Sequence, residues 1–396
     1  MTADGSVPWA LHLATMAARR RFSKTRLAEN STPNELVADT LPHADDLIDE
    51  VEQATRNVET DDRHRTEALQ VLAKVTESAI AKIRKSATTQ LNDDELLAVE
   101  AIVRADGTRP SLILQQGVVP ETAKFIGQWK ESIAAAQSRI SEIAQATGRI
   151  QPANGGPKNY FGTGFLIDRD RGLVLTNRHV VEQIYNRNSV SMDRNSRGPG
   201  VQRFRVFDGL TVDFDGEAER VENRRLATVT ELRILEKTAA TPFAAMDLAV
   251  LRVEFEDESF APPNAIQPTH NGVFETAAGV HSICLVGFPG RPRTDVASPI
   301  DWGWVDQELF GETYGIKRLA PGLVHISPGA FVGDTSKWVF GHDASTLGGS
   351  SGSPVCAWLD GGRSFGIHFS GVHADTNRAH GFSTDAAQRV IAALIR

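Results

Sequence analysis

The apolar positions of the first 150 residues recur at helical spacing. Between Pro120 and Gly148 they follow one another at intervals of four, four, three, four and three residues, as Phe125, Trp129, Ile133, Ala136, Ile140 and Ile143. This pattern predicts a single amphipathic helix with one apolar stripe, which Gly148 ends. Helix-start signals at residues 32–35 and 92–95 predict further helices. We expect an all-α domain over 1–150 in which the stripe packs inside a bundle; docking onto the second half is the alternative.

After residue 150 the pattern changes to that of strands. Residues 151–157 are turn formers and predict a short linker. Residues 204–206 and 212–214 alternate in polarity around Asp208-Gly209, which predicts a hairpin. Residues 248–251 and 283–286 are apolar runs typical of buried strands, and a helical pattern returns only at 384–396. Residues 151–396 therefore predict a mainly antiparallel β-domain, as barrels or a sandwich, with a C-terminal helix.

Composition and charge exclude several classes of protein. The chain of 396 residues has a formal net charge of −8, which argues against a general nucleic-acid or anionic-membrane binder. We interpret the basic cluster at residues 19–26 as a solvated helix face, with nucleic-acid contact as the alternative. The sequence contains no apolar run of about 18 residues and no signal-like N-terminus. We therefore expect a cytoplasmic protein without a membrane span.

The cysteines and histidines do not form a metal-binding pattern. Cys284 and Cys356 are too few for a disulfide-built scaffold or a four-cysteine metal site. His368, His373 and His380 cluster in sequence, but no cysteine or glutamate completes a zinc-like spacing. We expect neither a metal nor another cofactor.

Three segments of the second half have residue types suited to nucleophilic catalysis. They are Thr176-Asn177-Arg178-His179, Asp247-Leu248-Ala249-Val250-Leu251 and Gly349-Ser350-Ser351-Gly352-Ser353-Pro354. A serine hydroxyl attacks well only when a neighbouring base takes its proton, and histidine suits that task because its pKa lies near neutrality. A carboxylate on the far ring nitrogen fixes the tautomer, and glycines beside the serine let backbone N–H groups converge on an oxyanion.

These segments resemble the motifs of the chymotrypsin/trypsin-like serine proteases. In that family the histidine follows T-A-A or T-N-x, the aspartate opens D-[IL]-A-[LV]-L, and the serine lies in G-[DN]-S-G-[GS]-P. The order histidine, aspartate, serine also matches, and the resemblance covers about residues 155–396. It implies a double antiparallel β-barrel in which Ser351 is the nucleophile, His179 the general acid/base and Asp247 its orienting carboxylate. The N–H groups of Gly349 and Ser351 would form the oxyanion hole.

Other assignments of the catalytic residues are open to the sequence. Residues 348–352 also fit the nucleophile elbow of α/β-hydrolases, with Ser350 as nucleophile and Asp375 and His380 after it, but no βαβ unit is visible. Asp213 and Asp215 also lie between the histidine and the serine. Those two belong to a polar hairpin pattern, whereas Asp247 precedes four apolar residues, as a buried carboxylate should.

The resemblance also bears on specificity. Ser350 stands where trypsin-like zymogens carry an activating aspartate, so the pattern is closer to bacterial members such as the glutamyl endopeptidases. The position that selects Lys or Arg substrates holds serine instead of aspartate, and a threonine and a histidine match the glutamyl endopeptidases. The expected S1 pocket, which binds the residue before the cut, consists of Ser345, Thr346, His368 and Ser370. It predicts a preference for Glu, or for Asp; the alternative is that His368 is a satisfied core histidine.

The expected fold class is α+β multidomain, with a helical regulatory or adaptor domain at 1–150 and a trypsin-like protease domain with a C-terminal helix at 151–396. We expect a serine endopeptidase that acts on proteins or peptides and is controlled through residues 1–150, where a regulatory protein partner would bind. The alternatives are a non-catalytic binding protein of the same fold, or an esterase with the same triad. Cys284 and Cys356 fall near positions where the family bridges two strands, and we expect free thiols that face each other.

Overall fold

The structure is a computed structural model that describes residues 109–121, 123, 126, 129–185, 191–198, 200–217, 225–235, 243, 245–255, 261–269, 281–291, 310–331, 333–358, 363–372 and 376–396. The helices expected before residue 109, the basic cluster at 19–26, His373 and Asp375 lie outside these residues. One compact unit comprises Ser111–Pro292, Thr313–Gly371 and Asn377–Arg396.

Within the described residues, the helices and strands alternate irregularly along the chain. In chain order they are β1 Leu112–Ile113, α1 Lys130–Ala135, α2 Gln137–Ala146, β2 Thr147–Pro152, β3 Gly162–Asp168, β4 Leu173–Thr176, α3 Arg178–Tyr185, β5 Ser191–Gly198, β6 Val201–Asp208, β7 Leu210–Asp213, β8 Leu226–Leu235, β9 Ala249–Phe255, β10 His281–Gly287, β11 Arg318–Ile326, β12 Val339–His342, β13 Pro354–Cys356, β14 Ser364–Val372, β15 Thr376–Gly381 and α4 Asp385–Ile395. None of the helices in this part of the chain is long and apolar enough to cross a membrane.

Six strands close into a first antiparallel barrel. Their order is β7-β2-β3-β4-β9-β8, and the pairing of β8 with both β7 and β9 closes the ring. Strands β5 and β6 extend the sheet beyond β8. Side chains such as Phe165, Leu175, Val212 and Leu251 are fully buried in its core. Because α3 follows β4 directly, this barrel carries His179 as well as Asp247.

A second barrel has the order β11-β10-β13-β14-β15-β12 and closes through the pairing of β11 with β12. Cys284 and Cys356 are direct cross-strand partners on β10 and β13, and both are buried and free. The prediction that they face each other as free thiols is confirmed. Helix α4 is capped at its N-terminus by Thr384, whose hydroxyl accepts a hydrogen bond from Ala387 N–H. The predicted double antiparallel barrel with a C-terminal helix is likewise confirmed.

The predicted helix at 120–148 is corrected in its ends and in its packing. The described helices break at Ala136 and end at Ala146, and Gly148 lies in β2. A Cβ at Gly148 would collide with Val212, so this glycine permits close approach of β7 rather than ending a helix. The described part of the stripe, from Trp129 to Ile143, joins the core of the barrels instead of a separate bundle, and the Trp129 ring lies 5.6 Å from the ring of Trp358. The alternative expectation, that this segment docks onto the second half of the chain, is therefore the one that the structure supports.

Two further expectations fail because they concern strand partners. Residues 151–157 do not begin a linker, since Gln151 and Pro152 complete β2 and pair with β7. The boundary expected between residues 150 and 151 therefore falls inside a strand. The predicted hairpin is wrong, because β6 and β7 both pair with β8 and not with each other. Alternating polarity identifies a strand but carries no information about which strand lies beside it.

A buried group of charges joins α2 and both barrels. Arg149 on β2 donates to Asp213 at 2.9 Å. Lys317, just before β11, donates through Nζ to Ala144 O and Phe214 O at 2.5 Å each. Burial lowers the pKa of Lys317 to about 8, although nearby carboxylates oppose this shift. Buried charges are tolerated when they are paired and hydrogen-bonded, so these contacts fix how the elements pack.

Candidate active site

A histidine and an aspartate meet at the rim of the first barrel. His179 lies in the first turn of α3, directly after β4, and Asp247 lies just before β9. Strands β4 and β9 pair antiparallel, with Thr176 opposite Ala249, so their ends carry both side chains to the same place. Asp247 Oδ2 lies 2.5 Å from His179 Nδ1, and Asp247 Oδ1 accepts from His179 N–H at 3.0 Å. The structure therefore joins two of the residues that the sequence singled out.

The electrostatics of this pair favour an ionised carboxylate. Burial raises the pKa of Asp247, but the hydrogen bonds and the electrostatic attraction of His179 outweigh it, and the net pKa is lowered. An ionised carboxylate on Nδ1 favours the tautomer whose proton lies on that nitrogen. Nε2 of His179 is then free to accept a proton. The His179 side chain is 34% exposed, so a substrate can reach it.

Both peptide groups of Asp247 are also held. Asn177 Nδ2 donates to Asp247 O at 2.9 Å, and Asp247 N–H donates to His380 Nε2 at 3.0 Å. His380 is buried and stacks on Phe369 with ring centroids 4.0 Å apart. Burial lowers the pKa of His380 to about 4, so the ring is neutral at neutral pH and can accept this bond.

The backbone path of the serine segment, residues 348–354, requires glycine at two positions. Gly349 and Gly352 have φ of +91° and +93°, in the left-handed region that disfavours other residues. A Cβ at Gly349 would lie 2.6 Å from Phe288 O and from the Tyr160 hydroxyl, and one at Gly352 would collide with a backbone carbonyl. These glycines let the segment fold tightly against the first barrel.

Ser351 lies against that barrel and close to the helix that carries the histidine. Thr163 N–H on β3 donates to Ser351 O at 2.9 Å. A Cβ at Gly162 would lie 3.2 Å from Ser351 O and 2.8 Å from Val180, so only a glycine separates the serine segment from α3. Ser351 itself is half-buried. In the part of the chain that the structure describes, neither Gly349 N–H nor Ser351 N–H donates to an acceptor.

The four residues expected in the S1 pocket differ in exposure. Ser345, Thr346 and His368 are buried, and Ser370 is half-buried. The backbone of His368 pairs with the serine segment, because Gly352 N–H donates to His368 O and His368 N–H donates to Ser353 O, at 2.9 Å each.

Polar contacts restrict what the residues expected in the S1 pocket can offer a substrate. His368 Nδ1 lies 3.2 Å from His342 Nε2, and burial together with the charge of His179 lowers the pKa of His368 to about 3. His368 is therefore neutral at physiological pH. The Thr346 hydroxyl donates to Asn377 Oδ1 at 2.8 Å, so its proton is already engaged, which the sequence did not suggest.

The alternative assignments lose support. Asp213 and Asp215 form buried ion pairs with Arg149 and Arg225 instead of belonging to a solvated hairpin. An α/β-hydrolase requires parallel strands, whereas the strand pairings whose register the structure describes are all antiparallel. Among the described residues, no group of three His, Cys, Asp or Glu side chains could hold a metal ion.

Sequence reasoning missed several residues in contact with this site. They are Tyr160, Thr163, His342 and His380 in its new setting beside Asp247. Each reaches the site through a contact with a residue distant in sequence, 133 positions away in the case of His380 and Asp247. A single sequence holds no local signal for such contacts.

Comparison with known proteins identifies the fold and its chemistry. Residues 162–367, just over half of the chain, match the family described as trypsin-like peptidase domain. The chain belongs to the trypsin-like peptidase family. This peptidase is 36% identical over 377 residues to a "probable serine protease" of Lysobacter enzymogenes, an alignment that covers 94% of this chain and 95% of that protein. The chain is a serine peptidase.

Solved structures similar to this trypsin-like peptidase are more distant in sequence. The Rv3671c protease of M. tuberculosis in its inactive form is 17% identical, with coverage of 64% of this chain and 92% of that chain and a TM-score of 0.34. A serine endoprotease of Yersinia pestis is 16% identical, with coverage of 66% of each chain and a TM-score of 0.37.

Proposed function

We propose that this trypsin-like peptidase is an endopeptidase whose acyl-enzyme forms on Ser351. His179 Nε2 takes the hydroxyl proton as Oγ bonds to the substrate carbonyl carbon, and it returns that proton to the amine as the C–N bond breaks. Water then attacks the carbonyl carbon of the acyl-enzyme while His179 Nε2 takes its proton. That proton passes to Ser351 Oγ as the bond to the acyl group breaks and the acid leaves. Asp247 stabilises the imidazolium formed at each stage. The two hydrogen bonds between His179 and Asp247 carry this proposal, because they prepare one ring nitrogen as a base.

The oxyanion of each tetrahedral intermediate is assigned to Gly349 N–H and Ser351 N–H. Both donors are without an acceptor among the described residues, while the neighbouring Ser350 N–H is bonded to Leu347 O at 3.0 Å. Loss of one such donor typically raises the barrier by about 3 kcal/mol. Two donors left unpaired in a tightly folded turn support this role.

A preference for Glu before the cut is the finer part of the proposal, and it rests on His368. The neutral His368 has two ring nitrogens, and its contact with His342 engages Nδ1. When His342 donates in that contact, the proton of His368 lies on Nε2, where it can donate to a substrate carboxylate. Thr346 contributes less than the sequence suggests, because it must release Asn377 before it can donate.

Regulation or recruitment through the N-terminal part of the chain is also proposed. Because residues from Ser111 onward belong to the compact unit of the barrels, the segment available for this role shrinks from 1–150 to about 1–110. A protein partner would bind there, while protein or peptide substrates bind at the catalytic residues. A cytoplasmic location stays a prediction.

A peptide library tests these assignments. Purified full-length protein is incubated with the library and cut sites are read by mass spectrometry. We expect cuts after Glu, none with Ser351→Ala, and nearly full activity with Ser350→Ala, which is the matched control for the adjacent serine. Asp247→Asn should lower kcat on the order of 10⁴-fold, since it favours the wrong tautomer of His179. His368→Leu should keep Ser351-dependent cleavage but lose the preference for Glu.

Several outcomes would contradict the proposal. Cuts that survive Ser351→Ala would exclude this nucleophile. Turnover of esters but not peptides would indicate an esterase. A Ser351 that does not react with a fluorophosphonate, in a protein that cuts nothing, would favour a non-catalytic binding protein.

A further inference from the structure

Every peptide carbonyl from 348 to 351 in the serine segment accepts a hydrogen bond. We call residues 347–352 the oxyanion turn. The four bonds run from Gly290 N–H to Gly348 O, from the Thr163 hydroxyl to Gly349 O, from Ser353 N–H to Ser350 O and from Thr163 N–H to Ser351 O, at 2.6, 2.7, 3.0 and 2.9 Å. Three of the four donors are backbone groups. The remaining donor, the hydroxyl of Thr163, can be removed by substitution without changing the backbone.

These bonds determine where the N–H groups of the oxyanion turn point. In a trans peptide the C=O and N–H point in opposite directions. The carbonyls of Gly348 and Ser350 accept from the N–H groups of Gly290 and Ser353. The N–H groups in the same two peptides, those of Gly349 and Ser351, therefore point away from these donors. The Thr163 hydroxyl holds the peptide between them, and this peptide sets the angle between the two N–H groups.

The Thr163 hydroxyl has no freedom to donate elsewhere. Its oxygen accepts from Phe288 N–H at 3.2 Å, and an N–H can only donate, so the single hydroxyl proton is left for Gly349 O. The Tyr160 hydroxyl donates to Phe288 O at 2.9 Å and fixes the same peptide segment from its other side. Thr163 is fully buried and β-branched, which restricts its χ1 rotamer.

We propose that Thr163 is a positioning residue of the oxyanion hole, which holds the oxyanion turn in the orientation that presents both N–H groups to the substrate. Through this contact, a side chain of the first barrel orders the oxyanion turn, which precedes β13 of the second barrel. This inference rests on the proposed function, since it assumes that the N–H groups of Gly349 and Ser351 bind the oxyanion. Thr163 touches neither substrate nor reacting atoms and acts through the turn.

Two substitutions at this position separate the hydroxyl from the shape of the side chain. Thr163→Val keeps the branched shape and removes the donor, whereas Thr163→Ser keeps the donor. Thr230→Val, on β8 of the same barrel, is the control for replacing a half-buried threonine away from the turn. For Thr163→Val we expect kcat to fall about 10- to 100-fold, which is less than the effect of losing a donor outright, while KM stays within about twofold. Thr163→Ser should restore most of the activity.

Amide hydrogen exchange of full-length protein supplies a readout that does not depend on activity. Exchange across residues 347–353 should be about tenfold faster in Thr163→Val than in the wild type, and unchanged in Thr163→Ser and Thr230→Val. Equal exchange in Thr163→Val and the wild type would overturn the proposal, as would an unchanged kcat in an active enzyme. If the wild type shows no Ser351-dependent turnover, the proposed function fails, and the exchange comparison alone decides the role of Thr163.

Discussion

At the residue scale, the Asp247 carboxylate that we propose to orient His179 is held by a second histidine, His380. His380 Nε2 accepts the Asp247 N–H at 3.0 Å inside a buried contact with Phe369. His380→Leu would leave that buried donor unpaired, which costs about 1–3 kcal/mol of stability. Because Asp247 would also lose its fixed position, we expect kcat to fall about tenfold. Peptide turnover measures kcat, and urea unfolding of the same preparations measures the loss of stability.

The matched variant for this prediction is His380→Gln. Its side-chain oxygen can accept the Asp247 N–H, so it should recover part of both the stability and kcat. Wild-type values of both quantities in His380→Leu would show that the contact does not position Asp247.

At the scale of elements, helix α2 is part of the catalytic unit rather than of a separate helical domain. Ile140 is fully buried in the core that it shares with the barrels. Ile140→Ala removes three buried carbon atoms and leaves a cavity, so we expect a loss of about 2–5 kcal/mol in the free energy of unfolding. Exposed Ser138 on the same helix is the control, and Ser138→Ala should change stability by less than about 0.5 kcal/mol. Urea unfolding of the full chain checks both.

A stability of Ile140→Ala equal to that of Ser138→Ala would show that α2 packs weakly on the barrels. The catalytic domain would then begin nearer to residue 147, where β2 starts.

At the scale of elements, the sequence predicts features that depend on local patterns but not those that depend on distant strands. Runs such as Ala249–Leu251 lie in strands because apolar side chains fill both barrel interiors, and that pattern is local. The motifs around His179, Asp247 and Ser351 are local as well. The partner of β6 and the role of Gly148 depend on strands that come from elsewhere in the chain. The contact of Thr163 with Gly349 spans 186 positions, so no local pattern announces it.

At the scale of the whole molecule, three histidines among the residues that the structure describes are buried and neutral. They are His342, His368 and His380. Burial lowers the pKa of all three; neighbouring histidines lower it further, while Asp247 opposes the shift at His380. The value falls to about 3 for His368 and to about 4 for His380. An unfolded histidine has a pKa of about 6.5, so below that pH the unfolded chain binds protons that the folded chain does not.

The free energy of unfolding should therefore fall as pH drops from about 6.5 toward 4, and stay level above about 7. Each neutral buried histidine contributes about 1.4 kcal/mol to the difference between pH 7.5 and 5.5, and the three together about 4 kcal/mol. Urea unfolding at the two pH values measures this loss. His342→Gln removes one of the three groups, so its loss should shrink to about 3 kcal/mol, while Ser138→Ala should keep the full difference. Equal stability of the wild type at both pH values would contradict a core that holds these histidines neutral.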